Sequence, residues 1–457
     1  MARLPRLARQ PGSVDPRPAE VSGPVGVRAP NPHRESDPEP SGSAAFPWRR
    51  NLNALGIAQT LAIAGFSLRV PYLPFFLGDL GVESTDQQAI WSGLINAGGA
   101  GVMAITAPIW GMVSDRFGRK PMLLRAMFAA TFTVALMGFA TQAWHLLALR
   151  FLEGALTGTV TAATALVATT TPKERLGFSL GMIQTAVFSG AALGPLFGGV
   201  LADQIGYRPT FFVAGGMLAL SGLIVLFVVE ERFKPIVRAA GSRRSERGVR
   251  FGSASLSLFS GVLLTMTLVL LVVRFASSAV QPILPLYVAQ LAGGTGGSSA
   301  LAGLTLGVLG LTSALSAIVL GRLGDRIGHR SILLWCAIGS GIIYVPMALA
   351  VAPWQLVVLQ ALFGVAAGGL IPAANALVAG ATPATSRGAI YGWLAAAAAL
   401  GGFAGPLVGA ALAATIGFRA TFIVTAAILL LMALRVYQTR AGGTVPSPAD
   451  ISSGAVG

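Results

Sequence analysis

The sequence predicts an all-α membrane protein in which twelve transmembrane helices form two related six-helix bundles. Three observations carry this prediction. Hydrophobic residues make up 54% of the chain and charged ones 11%, with a mean hydropathy of +0.72. A soluble protein of 457 residues would need far more charge to cover its surface. Apolar windows of spanning length recur along the chain, and motifs in the first half return in the second.

A helix rises about 1.5 Å per residue, so about 20 mostly apolar residues cross a hydrocarbon layer of about 30 Å. Such windows fall near 54–77, 88–110, 122–140, 145–168, 177–201, 209–228, 256–290, 299–320, 331–351, 354–379, 389–413 and 418–437. The 256–290 window is too long for one straight span, so an interfacial lead-in or a tilted helix is expected there. Several windows are rich in Gly and Ala, which suits close helix packing in lipid. They lack strand alternation, and lipid cannot satisfy exposed amides, so each is read as a helix.

Loop charges assign the sides. With the amino terminus inside, the inner segments carry Arg116, Arg119, Lys120 and Arg125, then Lys173 and Arg175. A central loop follows with Arg232, Lys234, Arg238, Arg243, Arg244, Arg247 and Arg250, and later Arg322, Arg326, Arg330, Arg387, Arg435 and Arg440. The opposite side shows Asp79, Glu83, Asp86 and Asp203, with Arg208 and Arg419 as its basic residues near span ends. This positive-inside bias predicts a multi-pass protein of the cell inner membrane with both termini cytoplasmic. The expected organisation is a disordered cytoplasmic tail over 1–48 and an amino-terminal bundle over 49–229. A basic cytoplasmic central loop covers 230–255, a carboxy-terminal bundle 256–438 and a short cytoplasmic tail 439–457. The first 48 residues are rich in Pro, Gly, Ser and charge and hold no apolar run of signal-peptide length.

Composition also excludes several function classes. Cys336 is the single cysteine, and the three histidines, at positions 33, 145 and 329, are scattered, so neither a disulfide framework nor a metal site is expected. The net charge of +15 sits in tails and in gaps between apolar runs, which argues against nucleic-acid binding. No nucleotide-binding loop, catalytic triad or HExxH motif is present, so the chain is expected to be no enzyme and to need no cofactor or nucleotide.

The clearest internal echo sets Gly111-Met-Val-Ser-Asp115-Arg116-Phe-Gly118-Arg119-Lys120 against Gly321-Arg-Leu-Gly-Asp325-Arg326-Ile-Gly328-His329-Arg330, an offset of 210. The same offset pairs Arg150 with Gln360 and Gly154 with Gly364. At an offset of 211, Gly190 and Gly194-Pro195 echo Gly401 and Gly405-Pro406, and Pro71-Tyr-Leu-Pro74 echoes Pro282-Ile-Leu-Pro285. Two six-span repeats related by an axis along the membrane normal are what an alternating-access carrier needs.

From about Arg49 to Arg440 the chain resembles the major facilitator superfamily, and within it the twelve-helix bacterial multidrug resistance proton antiporters. The segments that carry the likeness include Trp91-Ser-Gly93, Trp110-Gly111 through Arg125, Glu174 to Gly199, and Phe418-Arg419-Ala-Thr-Phe422. The resemblance implies proton-coupled efflux of drugs or other small amphiphiles, with a small-molecule substrate, a proton and membrane lipids as partners. A carrier of a sugar or other metabolite, and a non-transporting receptor or assembly protein, stay open as alternatives.

Physically, the glycines of the Gly111–Lys120 segment permit a tight turn and close helix approach. Asp115 can accept hydrogen bonds from helix-end amides or pair with an arginine across the two halves. The resemblance implies gating by this segment, with Arg116, Gly118, Arg119 and Lys120 taking part and Asp325, Arg326 and Gly328 as counterparts. Topology-setting positive charge is the plainer reading of the basic residues.

In the fourth window Arg150 and Glu153 lie three apart on one helix face and can pair, which lowers the cost of placing either in lipid. Glu153 is the one carboxylate found well inside a predicted span. The resemblance marks Arg150 as the family's basic residue of that span, and Glu153 is our candidate for the coupled proton; a structural ion pair near the outer rim is the alternative. Arg69 and Arg274 are intramembrane guanidiniums with no evident carboxylate partner. They are candidates for a cavity favouring an anionic or phosphonate-like solute, or for contacts with backbone carbonyls, and snorkelling from a span end is a further alternative for Arg274.

Gly181, Gly190, Gly194, Pro195, Gly198 and Gly199, with Gly405 and Pro406 in the second half, resemble the antiporter signature and predict tightly packed, bent helices between halves. Asn96, Gln184, Gln281 and Asn375 are polar candidates for the substrate cavity, with hydrogen bonding between helices as the equal alternative. Phe66, Phe188 and Tyr287, along with Tyr72, Tyr344 and Trp393, are candidates for an adaptable apolar lining.

Overall fold

The computed structural model describes residues 47–231, 261–294, 297–381 and 387–438. Most of the expected amino-terminal tail, nearly all of the basic central loop and the expected carboxy-terminal tail, at 1–46, 232–260 and 439–457, lie outside the described residues. Among the described residues, ten helices are long and apolar enough to cross a membrane, and twelve when each of two bent helix pairs counts as one span.

Span 1 is Trp48–Leu68 with Leu73–Asp79, bent by 45°, and span 7 is Leu264–Val280 with Leu284–Leu291, bent by 41°. Both bends fall on the repeated Pro-x-x-Pro segments, where proline cannot donate and crowds the preceding turn. The long 256–290 window is therefore a kinked span over its described part. Spans 2 and 3 are Thr85–Phe117 and Arg119–Met137, and span 4 joins Ala143–Leu156 to Thr159–Thr170. Spans 5 and 6 are Leu176–Ile205 and Tyr207–Val228. In the second half, spans 8 and 9 are Ser298–Ile327 and His329–Ala348, span 10 joins Pro353–Gly368 to Leu370–Ala381, and spans 11 and 12 are Arg387–Ile416 and Phe418–Gln438.

The internal repeat reaches down to individual turns. Gly118 and Gly328 make the turns from span 2 to 3 and from span 8 to 9 with φ of 96° and 92°. Left-handed backbone of this kind suits glycine alone among common residues. Gly111, which the motif suggested as a turn glycine, instead lies inside span 2, and the turn belongs to Gly118.

Packing repeats as well. Span 1 packs on spans 5 and 6, span 3 on 6, and span 2 on 4; span 7 packs on 11 and 12, span 9 on 12, and span 8 on 10. Buried side chains fall into one large cluster within 52–229 and another within 266–436. The halves meet through span 5 against 8 and span 2 against 11, two seams that the twofold relation exchanges.

The glycine signature explains how these rods come so close. A Cβ added at Gly190, Gly194 or Gly198 would stand 2.6, 2.6 or 1.9 Å from the carbonyl oxygen of Thr60, Ala64 or Leu68 on span 1. At Gly401, Gly405 and Gly409 it would meet those of Leu271, Phe275 and Ala279 on span 7 at 2.3, 2.6 and 2.0 Å. Each residue pair recurs at an offset of 211. Most signature glycines therefore bind spans within one half. Gly199 is the member that faces the other half, with its would-be Cβ 2.1 Å from the Ser299 carbonyl oxygen. Gly181 departs from the expected packing role, since a Cβ there would meet nothing within 4 Å.

Contacts between halves gather toward one end. Gly303 abuts the Pro195 carbonyl, Gly307 abuts Leu196, and Gly93 abuts Ala410 and the Pro406 carbonyl. A small buried cluster of Ala89, Ile283, Leu286 and Ala413 closes the same end. Toward the opposite end, Gly111, Gly177, Gly181, Gly321 and Gly392 have open space where a Cβ would stand. The glycine-mediated contacts between the halves thus lie toward the end away from the basic turns.

Candidate functional site

Spans 1 and 4 build a buried charged triad. Glu153 Oε1 accepts a hydrogen bond from Arg69 Nη2 at 2.8 Å and another from Arg150 Nη1 at 2.7 Å. The Glu153 and Arg69 side chains are only 3% and 6% exposed, and Arg150 is 18% exposed. Glu153 Oε2, Arg69 Nη1 and Arg150 Nε are buried without a partner among the described residues. One carboxylate thus holds two guanidiniums through a single oxygen, leaving a net positive group with spare donors and a spare acceptor.

Local structure places it there. Arg69 ends the first helix of span 1, at the proline bend. Glu153 lies one turn before the break of span 4, where its carbonyl accepts from the amide of Thr157 at 2.9 Å and from its hydroxyl at 2.8 Å. Gly158 then turns the chain with φ of 141°. Breaks free carbonyls, and in lipid these must find donors. Span 2 supplies them: Thr106 Oγ1 donates to the Gly154 carbonyl at 3.3 Å and Trp110 Nε1 to that of Ala155 at 2.6 Å. Glycine lets the two helices touch, because a Cβ on Gly154 would be 2.3 Å from the Gly99 carbonyl oxygen. The Arg150 guanidinium lies over Gly99.

The pairing corrects one expectation. Arg69 does have a carboxylate partner, 84 residues away, and it is buried in that pair rather than lining open space. Arg274 differs in the other direction, being exposed on span 7. Gln184, Gln281 and Asn375 are also exposed, Phe188 is 36% exposed, and Asn96 is half-buried with its amide donating to the Ser92 carbonyl of its own helix at 2.8 Å. Phe66 packs beside the Arg69 guanidinium, 5.9 Å from ring centroid to Cζ. Tyr287 is no cavity residue. It is buried against Phe422 and its hydroxyl donates to the Met347 carbonyl at 3.1 Å, so it ties span 7 to the end of span 9. Tyr72 and Tyr344 are likewise core residues, whereas Trp393 is exposed.

At the basic-turn end of the spans, Asp115 and Arg116 are exposed, and no ion pair of either is found among the described residues. Asp325 pairs with His329 Nε2 one turn on, at 3.2 Å. Arg119 Nη1 donates to the Ala165 carbonyl of span 4 at 2.6 Å. Lys120 Nζ donates to the Leu226 and Val229 carbonyls at 2.9 and 2.7 Å, closing the end of span 6. Arg330 repeats this on span 12, donating to the Val436 carbonyl at 2.7 Å. At the opposite end, Arg208 and Arg419 donate to the Gly138 and Ala350 carbonyls at 3.0 and 3.4 Å. Cations at helix C-termini are well placed both for the dipole and for the last carbonyls.

Two features escaped sequence reasoning. Glu230 and Glu231 follow span 6 and were hidden among the basic residues of the loop. Glu231 accepts from the Arg119 and Lys120 amides at 2.9 and 2.8 Å, capping span 3, while Glu230 pairs with Arg50 and exchanges backbone bonds with the Asn51 side chain. Arg125 stacks on Trp110 with Cζ 3.2 Å from the ring centroid, joining spans 2 and 3. The flanking acids Glu230-Glu231 were the legible signal; nothing local announced the stacking.

The architecture matches known proteins closely. The family model described as Major Facilitator Superfamily matches residues 55–294 and 266–452. The chain belongs to that superfamily. Among curated relatives, Multidrug resistance protein MdtG of Citrobacter koseri is 40% identical over 387 residues, covering 85% of this chain and 94% of that one. The protein of the same name from Escherichia fergusonii is 39% identical, covering 84% and 93%. Among solved structures, a bacterial homologue of the human lysosomal transporter Spinster, inward-facing and occupied, superposes with a TM-score of 0.69 at 16% identity, covering 87% of this chain and 98% of that one. The human organic anion transporter TETRAN gives 0.62 at 22% identity, covering 85% and 99%. The superfamily membership and the spans make this chain a multi-pass membrane transporter rather than an enzyme.

Proposed function

We propose that this protein is a proton-coupled exporter that moves drugs or other small amphiphiles out of the cell by alternating access. Kinship with proteins named for multidrug resistance supports the substrate class. The observation that carries the coupling is the Glu153 carboxylate, buried in a span and held by Arg69 and Arg150. Ionised, it neutralises part of the arginine charge; protonated, it gives up one or both bonds and releases spans 1 and 4 from each other. A buried acid whose charge is tied to helix packing converts proton binding into a bias between two states. One proton driven through 100 mV supplies about 2.3 kcal/mol, before any pH difference.

The remaining roles follow from position. Arg274, exposed on span 7, leaves the spans with surplus positive charge, which favours an anionic solute over a cationic one. Asn96, Gln184, Gln281 and Asn375 are proposed to meet substrate with Phe188. Asp115 and Arg116 are proposed to form the inner latch of the opposite state. The inner-membrane location and the cytoplasmic termini rest on the positive-inside bias. In everted vesicles, Glu153→Gln is expected to abolish pH-driven drug uptake while normal amounts of protein remain in the membrane. Unchanged pH-driven flux would reject the coupling role.

A further inference from the structure

We propose that Asp203 is the latch of the outer gate, a positioning residue that holds the two halves together outside by capping a helix of the opposite half. Span 8 begins at Ser298, and its N-cap is Gly297, which has no side chain to satisfy the first amides. Helices need such a cap, because their first turns carry amides with no partner of their own. Asp203, at the end of span 5 in the other half, supplies it: Oδ2 accepts from the Ala300 amide at 2.8 Å. The carboxylate also sits at the positive end of the span 8 dipole.

The setting makes this contact conditional on conformation. It lies at the outer end of the span 5 to span 8 seam, one turn beyond the point where Gly199 meets the Ser299 carbonyl. Any motion that parts the halves on this side must pull Asp203 away from Ala300. The twofold-related seam, span 11 against span 2, has Ala414 at the position equivalent to Asp203, and that region is closed by the apolar cluster around Ala413. The outer gate is thus asymmetric: one seam is apolar, and the other carries an ionic cap that forms in the outer-closed state and breaks in the outer-open state. The inference rests on alternating access but not on the identity of the substrate or of the coupling ion.

The test uses the full-length protein in nanodiscs. Cys336→Ser removes the native thiol, and spin labels are placed at Ile205→Cys and Leu304→Cys, both partly exposed near the seam. Pulsed electron resonance then reads the outer-closed and outer-open populations. A lost cap is expected to shift D203A about fivefold toward the outer-open distance. Glu83→Ala, removing another exposed outer-side acid, is expected to leave the distribution unchanged. A parent that samples both distances while D203A matches it overturns the latch alone. A single fixed distance in both proteins overturns the latch together with alternating access. The D203A shift in a protein that moves no drug supports the latch and rejects the efflux reading.

Discussion

Arg69 and Glu153 stand 84 residues apart and on different spans, yet they share a 2.8 Å hydrogen bond inside the membrane. Arg150 reaches the same oxygen. Breaking a buried pair by removing one member typically costs about 3–5 kcal/mol, while replacing all members by packed apolar groups costs far less. Glu153→Leu is therefore expected to lower the melting temperature in detergent sharply. The triple variant R69M, R150M, E153L should recover most of the loss while remaining inactive. A triple variant melting no higher than E153L alone would show that the two arginines left without their carboxylate carry no penalty.

Gly198 and Gly409 offer a paired test of the repeat. Their missing Cβ atoms would sit 1.9 and 2.0 Å from the carbonyl oxygens of Leu68 and Ala279. Backbone cannot yield as a side chain can, so G198A and G409A are each expected to destabilise by about 1–3 kcal/mol, the usual cost of overpacking. Gly181→Ala, with open space, should be neutral or slightly stabilising because alanine favours the helix. Equal melting temperatures for all three variants would contradict the packing account.

Glu231 caps span 3 from the end of span 6 through the Arg119 and Lys120 amides. Losing a side-chain cap costs about 1 kcal/mol. For E231A, amide exchange at the start of span 3 is expected to quicken about fivefold, with the middle of the span unchanged. Exchange as slow as in the parent would show that this cap is dispensable.

These contacts mark where sequence reasoning reached and where it stopped. Hydropathy finds the twelve windows because a span must be predominantly apolar to cross lipid, and the repeat survives in glycines and prolines because close backbone approach tolerates few substitutes. The Arg150–Glu153 pair was legible because helix geometry fixes neighbours three apart. The link from Arg69 to Glu153 was not, since it depends on which spans pack together and at what depth. Tyr287 misled for a related reason: an aromatic with a hydroxyl suits a cavity or a core equally, and the free carbonyls at the end of span 9 decide for the core. Asp203 read as a loop acid because its partner is an amide, which no sequence displays.

Asp115 supplies the last prediction. It is exposed at the basic-turn end of span 2 with no ion pair among the described residues, although it lies in the motif that the repeat preserves most clearly. A residue with nothing to hold in one state must act, if it gates, in the other. Asp115→Asn should therefore leave the melting temperature of the inner-open form unchanged and shift the population toward that form, because only the inner-closed state loses a contact. Cysteines introduced along the inner ends of spans 5 and 8 should then label faster with a membrane-impermeant thiol reagent in everted vesicles, and outer-side labelling should fall in step. Equal labelling in parent and variant, on both sides, would leave the aspartate with no part in closing the inner face.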